Sequence, residues 1–312
     1  MCGIVGLLLK NPALRPQLGE LMVPMMIGMT ERGPDSAGLA VFSEPVAQGL
    51  FKVSLYAADR PIDWNELVLT LRVGSEASFA IDFIGNHGVL TTSVSPALLE
   101  VWLADNLPHI VVLSIGRSID LYKDVGAPAA ICERYGFKHL QGTHLVGHTR
   151  MATESAVTPA HAHPFTAGHD FCLVHNGSLS NPHLVRRKLE PLGIDFETDN
   201  DTEAACRYFE WRLREGDDLP TAVRRGFEEL DGFYTFLMGT ERELALVRDA
   251  FACKPAVVAE TDDYVAVAWN SDRLRICRVC ATRSCSSRSR KRYMRGQSES
   301  NECELGGERG SH

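Results

Sequence analysis

The chain has 312 residues, 45% of them hydrophobic and 23% charged, with a formal net charge of -8. That composition belongs to a folded globular protein and excludes a disordered chain, a collagen-like repeat or a disulfide-stapled miniprotein. The charge is uneven, with residues 271–312 at +5 and the remainder at -13, and so acidic a body excludes nucleic-acid binding as the main task.

Residues 2–9 are apolar and β-branched and predict a buried strand, after which Leu14, Leu18, Leu21, Met22, Met25 and Met29 fall at helical spacing. The apolar stretch from Leu21 to Met29 is broken by Pro24 and Gly28 and is shorter than the roughly 20 residues of a membrane span, so no membrane segment is expected. The opening residues lack the basic flank and long apolar run of a secretory leader, which makes the cytoplasm the expected setting. The helix stops at Glu31-Arg32-Gly33-Pro34, where Gly and Pro both break it, and a small-residue strand resumes over Ser36–Phe42.

Residues 44–142 mix predicted strands at 50–56, 78–84 and 110–115 with predicted helices at 64–72, 96–105 and 124–134, the pattern of a self-contained α+β insertion. Apolar strands recur at 144–147, 171–174, 233–238, 244–248, 256–260 and 264–268, and helices at 181–190, 202–214 and 219–230. Strands at both ends with helices between them predict sheets packed face to face with helices outside. A main domain over residues 2–270 follows. Beyond it, apolar periodicity gives way to Ser, Arg, Cys, Glu and Gly, so 271–312 is expected to be a disordered basic tail, or a non-native segment such as a frameshift would produce. Cys277 and Cys280 have the spacing of half a zinc or redox site, but no second pair or nearby His completes it. Cys132, Cys172, Cys206 and Cys253 lie in mostly apolar or helical contexts and are expected to be reduced core thiols.

Cys2 is different. Removal of Met1 would leave it with a free α-amine beside its thiol. The amine titrates near pH 7.7–8 and the thiol near roughly 8.5, so close to neutral pH the amine can take the thiol proton, directly or through one water. One residue then supplies both nucleophile and base. Taken alone, Cys2-Gly-Ile-Val-Gly6 fits an ordinary buried strand cysteine better.

Four separated blocks occur in order: Met1-Cys-Gly-Ile-Val-Gly6; Arg32-Gly-Pro-Asp-Ser-Ala-Gly38; Gly147-His-Thr-Arg-Met-Ala-Thr153 with His161-Ala-His-Pro164; and His175-Asn-Gly177 with Asp201-Thr-Glu203. Through them the chain resembles the class II, N-terminal-nucleophile glutamine amidotransferases over residues 2 to about 270, least in the insertion. The resemblance implies an α+β fold, a four-layer αββα sandwich with the nucleophile opening a central strand. It implies that Cys2 attacks the side-chain amide of L-glutamine, forming a γ-glutamyl thioester with loss of ammonia, and that Asn176 and Gly177 form the oxyanion hole. A side-chain amide and a glycine N–H are suitable donors for a tetrahedral oxyanion, although Asn-Gly by itself is a hairpin signal. The resemblance further implies that Arg150 pairs with the substrate carboxylate, as a planar guanidinium suits, and that Asp201 receives its ammonium. Asp201 is also a residue favoured at a helix N-terminus. Thr153 would help hold the carboxylate, and Arg32 would anchor the loop around Cys2.

His161-Ala-His163 has a spacing found in metal sites, but the block belongs to the resemblance, in which no metal is used, and no carboxylate or Cys completes the set. No phosphate-binding glycine pattern is present, so a nucleotide is not indicated. Residues 271–312 are too few to form the ammonia-consuming synthase that usually accompanies such a domain. The chain is therefore expected to act alone or with another chain. Its long insertion after the Arg32-Gly-Pro-Asp-Ser-Ala-Gly38 block makes it resemble most the amidotransferase-like subunit of N-methylglutamate synthase and the N-terminal domain of the glutamate synthase large chain. That resemblance implies separate partner chains similar to the remaining glutamate synthase domains, with flavin and iron–sulfur centres on the partners and no cofactor here. The alternatives are a non-catalytic glutamine- or glutamate-binding scaffold or sensor, and a hydrolase of the same fold acting on other amides.

Overall fold

The computed structural model describes residues 2–58, 60–151 and 157–269, together with the backbone of two strands at 292–297 and 304–306. One sheet runs in the spatial order β13 (Val257–Glu260), β14 (Tyr264–Ala268), β1 (Gly3–Leu9), β8 (His144–Arg150), β2 (Ser36–Phe42) and β7 (Ile119–Val125). A second runs β16 (Glu304–Gly306), β15 (Arg292–Gln297), β12 (Glu243–Arg248), β11 (Gly232–Gly239), β10 (Cys172–Leu179) and β9 (Phe165–Thr166). Neighbouring strands in both are antiparallel.

β1 is buried at every position because it lies mid-sheet with both faces covered, which is why it reads as an unbroken apolar run. Val5, Leu7 and Leu9 pack with Leu18, Met22, Met25 and Met26 of α1 (Leu18–Ile27) and with Ile131 of α4 (Pro128–Arg134). Ile4 and Leu8, on the other side of the pleat, pack with Val174, Leu237, Leu244 and Leu246 of the second sheet. The far face of that sheet, through Leu173, Phe236, Met238 and Val247, buries Val185 of α5 (Pro182–Leu189), Tyr208 and Phe209 of α6 (Asp201–Arg214) and Val223 of α7 (Leu219–Glu229). The result is the expected α+β fold, a four-layer αββα sandwich.

The third sheet has the order β4 (Phe79–Ile84), β5 (His87–Thr92), β3 (Phe51–Ala57) and β6 (Ile110–Gly116). Trp64 and Leu67 of α2 (Trp64–Arg72) and Leu99 and Leu103 of α3 (Pro96–Asn106) share a core with Val53, Leu55 and Leu90 of these strands. This separate unit is narrower than 44–142. Residues 119–125 pair with β2 in the sandwich, and the helix predicted over 124–134 starts only at Pro128 because the chain before it is strand.

Within 271–312, β15 pairs with β12, and β16 with β15, so the second sheet extends into a stretch expected to lie outside the sandwich. An uncovered β12 would offer a row of unpaired backbone groups to such a strand. Cys132, Cys172 and Cys206 are buried as expected, but Cys253 is exposed, because it lies in the loop between β12 and β13; Cys277, Cys280, Cys285 and Cys303 lie outside the described residues. Among the described residues no helix is long and apolar enough to cross a membrane.

The layering sets the position of the candidate site. Cys2 immediately precedes β1, Arg150 closes the neighbouring β8, Asn176 and Gly177 lie on β10 of the facing sheet, and Asp201 opens α6.

Candidate active site

Cys2 is a free, partly exposed thiol whose Sγ lies 3.9 Å from the Met151 carbonyl oxygen. The turn that carries Arg32 is pressed against the end of β8. A Cβ at Gly33 would sit 2.3 Å from the Thr149 carbonyl carbon and 2.6 Å from the Arg150 nitrogen, a close approach open only to glycine. Arg32 then stacks its guanidinium 3.7 Å above the centroid of the Trp269 ring, with Nε and Nη2 buried and unpaired among the described residues. Burial lowers its pKa and the charge on Cys2 works the other way, so the two groups sense each other. Arg32 remains a cation at any working pH.

Asn176 reaches across from the facing sheet. Its Nδ2 donates to the Cys2 carbonyl oxygen at 3.1 Å, and its Oδ1 lies 3.2 Å from His148 Nε2. Gly177 follows at φ +143, where a Cβ would come within 2.1 Å of the Phe233 carbonyl oxygen. Only glycine lets the strand turn its backbone this way.

Behind Asn176 lies a buried histidine cluster. His148 stacks on His163 with ring centroids 4.1 Å apart, His163 Nε2 is 3.0 Å from Thr202 Oγ1, and His175 Nδ1 is 3.2 Å from the same hydroxyl. Burial depresses the pKa of His148 to about 3 and that of His163 well below its ordinary value, with Arg150 close enough to add to both effects. His161 turns away to Thr158 and Asp199, so the His-X-His pair does not converge.

Asp201 Oδ2 accepts the Leu179 N–H at 2.9 Å, and Oδ1 lies 3.6 Å from His175 Nδ1. Burial alone would raise this carboxyl, but His175 and the N–H groups of Leu179 and Thr202 outweigh it and hold the pKa below the ordinary value. Arg150 is 5% exposed at the end of β8, one residue before the carbonyl that faces Cys2. The structure therefore brings Cys2, Arg32, Arg150, Asn176, Gly177 and Asp201 to one end of the sandwich. Thr153 lies outside the described residues. Trp269, Thr202 and the Asn176 contact of His148 were not anticipated. His148 belongs to the 147–153 segment, but nothing local to it indicates a partner on β10. Chemically, the arrangement offers a thiol, an anchored amide donor, a guanidinium stacked on Trp269 that feels the charge of the thiol, and a further guanidinium and carboxylate suited to the two charged ends of an α-amino acid.

Comparison with known proteins gives one family. The sequence model for the glutamine amidotransferase domain matches residues 148–275. The chain is 47% identical over 268 residues to the glutamine amidotransferase-like protein GlxB of Rhizobium meliloti, covering 85% of this chain and 88% of the relative. It is 32% identical over 290 residues to a putative glutamine amidotransferase of Methanothermobacter thermautotrophicus, covering 88% and 93%. Among solved structures, the glutamine phosphoribosylpyrophosphate amidotransferase of B. subtilis superposes with a TM-score of 0.63 at 16% identity, over 97% of this chain and 49% of that one. That likeness is one of fold, and this chain spans about half of that protein's length.

Proposed function

The chain belongs to the class II glutamine amidotransferases, and from that premise we propose that it hydrolyses L-glutamine to glutamate and ammonia through a thioester on Cys2. The observation that carries the reading is the 3.1 Å contact of Asn176 Nδ2 with the Cys2 carbonyl, which joins the two sheets at the thiol. With Met1 removed, the α-amine takes the Cys2 proton and Sγ attacks the amide carbon of glutamine. The oxyanion accepts hydrogen bonds from the Asn176 amide and the Gly177 N–H. Collapse releases ammonia, which carries away the proton held by the amine, and water then cleaves the thioester to glutamate. Arg150 would hold the substrate carboxylate and Asp201 its ammonium, with Thr153 beside the carboxylate and Arg32 fixing the loop at Cys2.

The proposed destination of the ammonia is a separate synthase chain resembling glutamate synthase domains, of the kind found in N-methylglutamate synthase, and the proposed setting is the cytoplasm. The free thiols Cys132, Cys172 and Cys206, buried within the sandwich, are in keeping with a reducing compartment. Replacement of Cys2 tests the chemistry. Cys2→Ala should abolish ammonia release from glutamine while leaving the melting temperature unchanged, and activity surviving the change would mean that another group is the nucleophile.

A further inference from the structure

The primary amide of Asn176 has two ends of nearly equal shape and opposite hydrogen-bonding sense, so it can serve as an oxyanion donor only if something fixes which end faces Cys2. His148 Nε2 lies 3.2 Å from the His175 carbonyl oxygen and 3.2 Å from Asn176 Oδ1. A backbone carbonyl only accepts, so the His175 oxygen requires a hydrogen on Nε2 and thereby selects the tautomer. That hydrogen in turn requires an acceptor from Asn176. Oδ1 is held against His148, and Nδ2 is left against the Cys2 carbonyl at 3.1 Å, where again only a donor fits. A reversed amide would set N–H against N–H at one end and oxygen against oxygen at the other.

The surroundings keep this arrangement in one state. His148 is 1% exposed, and burial holds it neutral, with a pKa depressed to about 3. Its ring lies on His163, which is tied through Nε2 to Thr202 Oγ1 at 3.0 Å. His148 Nδ1 is buried without a partner among the described residues. A phenyl ring in this place would avoid that cost, so the nitrogen that explains an imidazole here is Nε2.

We propose that His148 is a positioning residue for the reaction: its Nε2–H, set by the His175 carbonyl, orients Asn176 so that one amide hydrogen is spent on the Cys2 carbonyl and the other is kept for the oxyanion. This rests on the glutaminase reading for its kinetic consequence but not for its geometry.

The test uses the full chain with His148→Phe, which keeps a ring against His163 and removes the donor, and His148→Gln, which restores a donor near the Nε2 position. Three quantities are measured: kcat and KM for ammonia release from glutamine, the rate at which iodoacetamide alkylates Cys2 as read on its peptide, and the side-chain 15N–1H resonances of Asn176, assigned by their loss in Asn176→Ala. His148→Phe should lower kcat roughly 100-fold, as loss of one oxyanion donor does, with KM and alkylation rate within about threefold of wild type. The Asn176 amide resonances should shift and lose their protection from exchange, and His148→Gln should recover most of both kcat and protection. Unchanged Asn176 resonances in His148→Phe would overturn the proposal, whatever the activity, because loss of a hydrogen bond from Nε2 to Oδ1 has to move the resonances of the same amide. If the Phe variant does not fold, the Gln variant and the wild type decide, and an unprotected Asn176 amide in the wild type overturns the proposal. If the wild type releases no ammonia, the glutaminase reading fails, and the resonances alone decide the role of His148.

Discussion

Gly177 illustrates how narrowly single residues are constrained at this site. Its φ of +143 and the 2.1 Å gap between a hypothetical Cβ and the Phe233 carbonyl oxygen leave no room for any side chain. Gly177→Ala should destabilise the protein by about 3 kcal/mol or more, through backbone strain and displacement of β11, and should also remove glutaminase activity. A urea melt that matches the wild type would contradict this. Cys2, Asn176, Gly177 and Asp201 were legible only through the resemblance carried by the four ordered blocks, since each taken alone has an ordinary structural reading. The contact of His148 with Asn176 was not legible: it joins residues 28 apart on strands of different sheets, and no local pattern encodes such a pairing. Trp269 escaped for a similar reason, since its ring gains a role only when Arg32 is folded onto it.

At the level of elements, strands buried on both faces were the easiest to read, as β1 shows, and strands with charged residues the hardest. β7 contains Asp120, Lys123 and Asp124 and was not predicted, yet it pairs along its full length with β2. Tertiary partners make those charges tolerable: Lys123 Nζ donates to the carbonyls of Ala162 and Pro164 at 3.1 and 3.4 Å, and Asp124 pairs with Arg134 at 2.9 Å. Asp201 depends on a similar arrangement at the start of α6. Glu203, 3% exposed, accepts the N–H groups of Glu197 and Thr198 at 2.8 and 2.7 Å and the Arg207 Nε–H at 3.1 Å, and so holds the loop that leads into the helix. Glu203→Ala would leave several part-buried donors without their acceptor and should cost about 1–3 kcal/mol. It should also raise KM for glutamine through displacement of Asp201. Thermal melting and steady-state kinetics check both effects, and an unchanged KM would separate the loop from substrate binding.

For the molecule as a whole, the helical and strand periodicities carried the layering, whereas the limits of the third sheet depended on which strands find partners in the sandwich. Stability should depend on pH through the buried histidines. Burial depresses the pKa of His87 and His144 to about 4 and of His148 to about 3, and lowers that of His163 as well. Each binds its proton more readily in the unfolded chain. Their contribution is complete above the ordinary histidine value of about 6.5 and is lost as the pH falls from there toward the folded values, by about 1–2 kcal/mol per histidine at pH 5. Asp120 and Glu100, whose carboxyls burial raises, offset part of the loss. The melting temperature should therefore fall between pH 7.5 and pH 5, with unfolding accompanied by proton uptake, and a flat profile over that range would show that these rings are not held neutral.

The proposed chemistry turns on Cys2, freed of Met1, as the acylated nucleophile. The most direct measurement is mass spectrometry of the N-terminal peptide from protein quenched with acid during turnover of glutamine. A peptide that begins at Cys2 and carries a γ-glutamyl group on its thiol is expected, absent when glutamine is omitted. Ammonia release by protein that retains Met1, or a glutamyl adduct on any other residue, would contradict it.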